Sequence, residues 1–328
     1  MPFRMTALVT LLTWLMALGG QAQAADPLRL VATTGMIADT LRQVGGNEIE
    51  VRGLMGTGVD PHLYRQTRSD ISAMVQADAV FWHGLFLEAQ LEEFLARLAK
   101  RRPVFAVAEA VPESQRLADA EYPDRWDPHV WMDPGRWRHV VIAIRDALVT
   151  LRPAARDRFV ANADDLLARL DALDTYARHV LSSVPPRSRV LVTAHDAFGY
   201  LGEAYAYEVE GIQGYSTESE AGLARMEALV SLLVERQIGA IFIESSVSER
   251  NIRALIEGAA ARGWPVEVGG ELFSDAMGPP GSYEGTYIGM IDHNVTLLAR
   301  ALGGEAPLGG MQGKLAGGTQ PLETGSRP

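Results

Sequence analysis

The chain has 328 residues, no cysteine and a formal net charge of −11. That length is enough for two domains of ordinary size. The missing thiols exclude disulfides, thiolate metal ligands and a cysteine nucleophile, and the acidic balance argues against a nucleic-acid partner, which needs a basic surface.

At the start of the chain, Arg4 precedes a nearly unbroken apolar run to Leu18, then Gly19-Gly20 and the small-x-small triplet Ala22-Gln23-Ala24. This is the form of a signal peptide, and cleavage is expected after Ala24. The apolar run is short for a membrane span, and no later segment is long and apolar enough to be one. The expectation is a periplasmic protein, not membrane-embedded. Without a cysteine it has no lipid anchor.

Downstream the pattern alternates strand and helix. Residues 28–33 read as a buried strand, 36–44 as a helix and 48–55 as a second strand. Ser69-Asp70 reads as the cap of a helix to residue 76. Residues 79–82 and 103–107 read as strands around an amphipathic helix over 87–100. Residues 153–184 carry Phe159, Leu166, Leu170, Leu173, Tyr176 and Val180 at helical spacing, between Pro153 and Pro185-Pro186. A helix of about 30 residues spans roughly 45 Å, long enough to run along two lobes. Strands over 189–193, 240–243 and 265–268 and helices over 197–205, 219–235 and 249–262 then repeat the first plan. Alternation of this kind indicates parallel sheets covered on both faces. The fold class is α/β: two similar Rossmann-like lobes with parallel sheets, joined by one long rigid helix. The expected organisation is a signal peptide (1–24), an N-terminal lobe (25–152), a connecting helix (153–186), a C-terminal lobe (187–303) and a disordered, Gly-rich tail (304–328).

Seven histidines occur, and three share a setting. His62 ends Asp60-Pro61-His62, His129 ends Asp127-Pro128-His129, and His195 lies in Thr193-Ala194-His195-Asp196 at the end of a strand. Asp275, in Leu272-Phe273-Ser274-Asp275, joins them. Ligands of open α/β sheets gather beyond the carboxyl ends of strands, and all four are expected there or in a loop that reaches there. Three neutral imidazoles and a carboxylate suit a borderline divalent cation. In Asp-Pro-His the proline stiffens the loop that presents the histidine. The separations follow no local metal-site logic, so spacing alone leaves this reading beside loop-end histidines with ordinary hydrogen bonds.

Glu244, Asp133 and His83 are candidates for groups behind the ligands, orienting their imidazoles. Against this stand helix capping for Glu244 and Asp133, and an ordinary core position for His83. Asp196 is a weaker case of the same kind. His139 and His179 read as surface residues, and His293 as packing within the last helix.

Taken together, Gly58-Val59-Asp60-Pro61-His62-Leu63-Tyr64, Asp127-Pro128-His129-Val130-Trp131-Met132-Asp133-Pro134, Thr193-Ala194-His195-Asp196-Ala197-Phe198, Gly211-Ile212-Gln213-Gly214, Ile243-Glu244-Ser245-Ser246 and Leu272-Phe273-Ser274-Asp275 with Gly285-Thr286-Tyr287 resemble the zinc/manganese family of ABC-transporter substrate-binding proteins, the cluster A type. The resemblance runs from about Leu28 to Leu302. It implies one divalent metal ion (Zn2+ or Mn2+) carried as cargo between two lobes, with His62 and His129 as ligands from the first and His195 and Asp275 from the second. It also implies a monomer that serves a membrane permease and its ATPase, and no catalysis. Zinc-specialised members often carry a long histidine-rich loop, whereas residues 112–126 here are short and without histidine. Many manganese-specialised members have Glu at the third ligand position, where this chain has His195, and the family often has Asn where His83 stands. Three nitrogen donors favour zinc on intrinsic affinity. The cargo stays open between zinc and manganese. Rival readings are a metal-dependent hydrolase, an adhesin-like member of the fold and a binder of an organic chelate.

Overall fold

The structure, a computed structural model, describes residues 26–118 and 125–315. The expected signal peptide and the last thirteen residues of the expected tail lie outside them.

In the first lobe, strands β1 (Leu28–Ala32), β2 (Ile49–Gly53), β3 (Ala79–Trp82) and β4 (Val104–Ala106) form one parallel sheet in the order β2-β1-β3-β4. Side chains alternate across a strand, so β1 and β3 each feed two cores. Leu30, Ala32, Ala79 and Phe81 pack with Met36, Ile37 and Leu41 of helix α1 (Gly35–Gly45). Val31 and Val80 face the opposite way, onto Met74 of α2 (Arg68–Gln76) and Leu95 of α3 (Glu92–Leu98). Both faces are covered, as a parallel sheet requires.

The second lobe repeats the strand order, but as two two-stranded parallel sheets side by side. Strand β5 (Val190–His195) pairs in parallel with β6 (Glu208–Gln213), and β7 (Ala240–Glu244) with β8 (Glu267–Leu272). β5 lies beside β7, so the spatial order β6-β5-β7-β8 matches that of the first lobe. Val190, Val192 and Ala194 pack on α7 (Leu223–Glu235) and α8 (Arg250–Ala261), while Leu191 faces the other core.

Between the lobes, α4 (Pro134–Leu151) leads through a turn at Pro153–Ala155 into α5 (Arg156–Ser182). α5 buries Phe159, Ala163, Leu166, Leu170, Leu173, Ala177 and Val180 along one stripe, the three-and-four spacing of an amphipathic helix. Its 27 residues span about 40 Å. The short α6 (Gly199–Tyr205) follows β5. The final α9 (Tyr287–Ala301) packs on α5, α1 and β8, so one continuous core runs along the connector into both lobes.

Several local expectations are corrected. The first turn of α2 is capped by Thr67, with Asp70 closing a capping box rather than acting as the cap. The helix expected over 87–100 begins only at Glu92. Before it the chain folds back: the enclosed Glu88 carboxylate accepts the Thr33 hydroxyl (2.5 Å) and the His83 and Gly84 N–H groups (2.8 and 3.2 Å), while Leu85 and Phe86 take positive φ. The helix expected from 219 begins at Leu223. Strand β6 was not expected, because Glu-Val-Glu-Gly-Ile-Gln lacks apolar alternation. Its Gly211 is required by space, since a Cβ there would come within 2.4 Å of the Asp196 nitrogen. The tail expected to be disordered from 304 is ordered as far as Leu315. The Met311 N–H bonds the buried Asp292 carboxylate (2.9 Å), and Leu315 is itself buried.

Candidate metal site

The four singled-out residues come together at the carboxyl ends of the strands, where the lobes meet. His62 follows β2, His195 ends β5, Asp275 follows β8, and His129 lies in the loop before α4. One donor atom from each lies within 4.8 Å of the others, and all four side chains are buried. The His62 and His129 Nε2 atoms face each other at 3.3 Å. The Asp275 carboxylate lies 3.2 Å from His195 Nε2, 3.5 Å from His129 Nε2 and 3.7 Å from His62 Nε2.

The loops that present the two Asp-Pro-His histidines are built alike. Asp60 Oδ1 accepts the His62 N–H at 2.8 Å, and Asp127 Oδ1 accepts the His129 N–H at 2.9 Å. The aspartate two residues ahead fixes the turn through its own side chain. Proline removes a competing donor and sets φ.

Two imidazoles are also oriented from behind. Asp127 Oδ1 lies 2.7 Å from His129 Nδ1, and Glu244 Oε2 lies 2.6 Å from His195 Nδ1. An ionised carboxylate can only accept, so each Nδ1 donates to the carboxylate behind it and each Nε2 is turned to the centre. Glu244 also accepts the His195 N–H at 2.9 Å. It therefore ties the end of β7 to the end of β5.

Among the described residues, His195 Nε2 and both Asp275 oxygens are fully enclosed and, apart from the 3.2 Å approach of the ring to the carboxylate, have no hydrogen-bond partner. Buried polar atoms without partners are costly, and here they converge on one point, with His62 and His129 completing the ring. Borderline nitrogen donors with one carboxylate fit a divalent transition-metal cation. Burial pushes the His62 imidazole down to about 3, keeping its ring neutral. Burial acts the same way on His195, but the Glu244 and Asp275 carboxylates outweigh it and hold the ring well above the ordinary value. Burial would raise Asp275, yet the His195, His62 and His129 rings facing it hold it well below the usual carboxylate range.

Of the groups weighed as supports, Glu244 touches a ligand-type imidazole directly. Asp133 instead caps α4: it accepts the Gly135 N–H (2.8 Å) and pairs with Arg136 (2.5 Å). His83 is fully buried with Nε2 2.7 Å from the Pro128 carbonyl and its ring edge-on to Trp131, so it braces the loop that carries His129. His139 bonds Gln115, His293 bonds the Glu271 carbonyl, and His179 is exposed on α5. Sequence reasoning missed Asp127 and Asp60, although an aspartate two residues before the histidine in both motifs was the available signal. It also missed Glu88, for which no signal exists in the local sequence.

Residues 30–301 match the family described as "Zinc-uptake complex component A periplasmic". The chain belongs to this family. Among relatives, it is 45% identical over 289 residues to the zinc-binding protein TroA of Treponema pallidum, covering 87% of this chain and 92% of that one. It is 43% identical over 279 residues to the manganese-binding lipoprotein MntA of Bacillus subtilis, covering 85% and 91%. A solved structure of the periplasmic zinc-binding TroA superposes with a TM-score of 0.82 at 44% identity, over 84% of this chain and 99% of that one. Family membership thus accounts for the two-lobed fold and for a role as the metal-binding component of a transport system.

Proposed function

We propose that His62, His129, His195 and Asp275 together hold one divalent transition-metal cation, zinc or manganese, as cargo that the protein delivers to the permease and ATPase of an ABC importer. The observation that carries this reading is the convergence of four buried donor atoms, two of them imidazole nitrogens aimed by carboxylates behind them. Each lobe supplies two donors, so binding draws the lobes together around the connector helix. The loaded shape is what the permease reads. Three nitrogens favour zinc as the tighter ion.

Four protein donors suit storage and delivery better than catalysis, since a catalytic zinc keeps an open position for water. The protein is therefore a carrier rather than a hydrolase. Among the described residues no helix is long and apolar enough to cross a membrane. We place the mature chain in the periplasm after cleavage at Ala24, as a monomer. It is free of a lipid anchor because it has no cysteine to carry one, unlike the Bacillus subtilis relative named a lipoprotein.

The test is competitive titration of the chelator-stripped protein, expressed without a histidine tag, against zinc and manganese. One tightly held ion per chain is expected, lost in His62→Ala. No stoichiometric binding of either metal would overturn the reading.

A further inference from the structure

Residues 214–222 form an irregular strap between β6 and α7, and it lies over the site. Tyr215 places its ring 6.4 Å from that of His129. Within the strap only Thr217 is buried. Its hydroxyl crosses to the other lobe and donates to Asp60 Oδ2 at 2.5 Å. The other oxygen of that carboxylate accepts the His62 N–H.

From the opposite end, Gln213, which pairs in register with His195, holds the strap by donating to the Thr217 and Ser219 carbonyls at 3.2 and 2.9 Å. A continuous path therefore runs from His195 through Gln213, Thr217 and Asp60 to His62. Within it, the Thr217–Asp60 bond is the link between the lobes. The strap's flanking glycines, Gly214 and Gly222, are required neither by space nor by a positive φ, since an added Cβ at either would meet nothing within 4 Å. What they supply is backbone freedom.

We infer that Thr217 is a positioning residue: its hydroxyl latches the strap to Asp60 when the lobes close, keeps His62 in place, and sets the rate at which metal leaves. The inference rests on the carrier reading above. On this inference the bond belongs to the closed state alone, so its loss speeds release and leaves capture unchanged. A hydrogen bond to a charged acceptor is strong enough for roughly tenfold to a hundredfold in that rate.

The test measures zinc release into excess fluorescent chelator, and zinc capture, for the exported protein and for Thr217→Val and Thr217→Ser. Valine keeps the branched shape without the hydroxyl, and serine keeps the hydroxyl. The expected result is release at least tenfold faster in Thr217→Val, capture unchanged, and Thr217→Ser close to the parent protein. Unchanged release in Thr217→Val, or equal acceleration in both variants, would overturn the inference. In the parent protein, amide exchange over residues 214–219 should slow on zinc loading, and exchange indifferent to zinc would equally overturn it. Failure of the parent protein to bind zinc at all would instead overturn the carrier reading.

Discussion

The two sides of the site are held in different ways. On the His129 and Asp275 side the lobes are sewn together by buried bonds. Trp131 Nε1 donates to the Ser274 carbonyl, the Tyr287 hydroxyl to the Trp131 carbonyl, and the Tyr200 hydroxyl to the Asp127 carbonyl, each at 2.8 Å. Trp131 lies two residues after His129 and Ser274 one before Asp275, so these bonds fix two donors relative to each other before any metal arrives. On the His62 side the crossings are nearer solvent: the Thr217–Asp60 bond, Gln90 Nε2 to Glu218 (2.9 Å) and the Thr57 hydroxyl to the Gly278 carbonyl (3.2 Å). A buried hydrogen bond costs the full desolvation of its groups to break, whereas an exposed one exchanges with water. The contrast is between a buried, firmly bonded back wall and a front whose bonds exchange more readily with water, the side at which the proposed carrier would open.

Substitutions can break this contrast at several points. The largest effect is expected from His195→Ala or His129→Ala, each removing a donor. Zinc titration should show a loss greater than that caused by altering any supporting group. Glu244→Gln and Asp127→Asn leave the donors in place but weaken their orientation and basicity, and a 10–100-fold loss of affinity is expected from either.

Affinity should also depend on pH, with a sign set by His195. Its pKa is raised in the folded chain, so its protonated form stabilises the metal-free protein fully below the ordinary 6.5. That contribution is lost as pH climbs through the raised value. On the proposed ligand set, metal must displace this proton. Zinc affinity should therefore rise with pH across the neutral range, while His62, already neutral down to about 3, contributes nothing there. Isothermal titration in buffers of different ionisation enthalpy would count the released proton, and Glu244→Gln should reduce it.

Smaller again, Trp131→Phe would leave the Ser274 carbonyl unpaired and cost about 1–3 kcal/mol of stability. It should lower the melting temperature of metal-free and loaded protein alike, in contrast to a variant of the strap. His139→Ala, at a part-exposed ring bonded to Gln115, should leave zinc affinity unchanged in the same titration.

Much of the fold was legible in the sequence because its strands are short apolar runs whose ends are marked. β1 and β3 carry consecutive buried residues, and the apolar stripe of α5 repeats at helical spacing. β6 was hidden because half of it is polar and its pairing with β5 depends on Gly211. The foldback before α3 was hidden because it hangs on Glu88. Burial raises that carboxyl to about 7, yet it looks in sequence like an ordinary residue on an amphipathic helix. The donors of the site were legible as residue types at strand ends, and Asp-Pro-His marked two of them. Their supports were legible only in part. Glu244 could be suspected from its place at the end of a strand. Thr217, far in sequence from Asp60, becomes visible only when the two lobes face each other.

The most direct test of the central claim is zinc-edge X-ray absorption on the untagged, chelator-stripped and reloaded protein, with metal content measured on the same sample. The account predicts one zinc per chain with three imidazole ligands and carboxylate oxygen, and one imidazole fewer in His62→Ala. Substoichiometric zinc, or a ligand shell unchanged by that substitution, would contradict it.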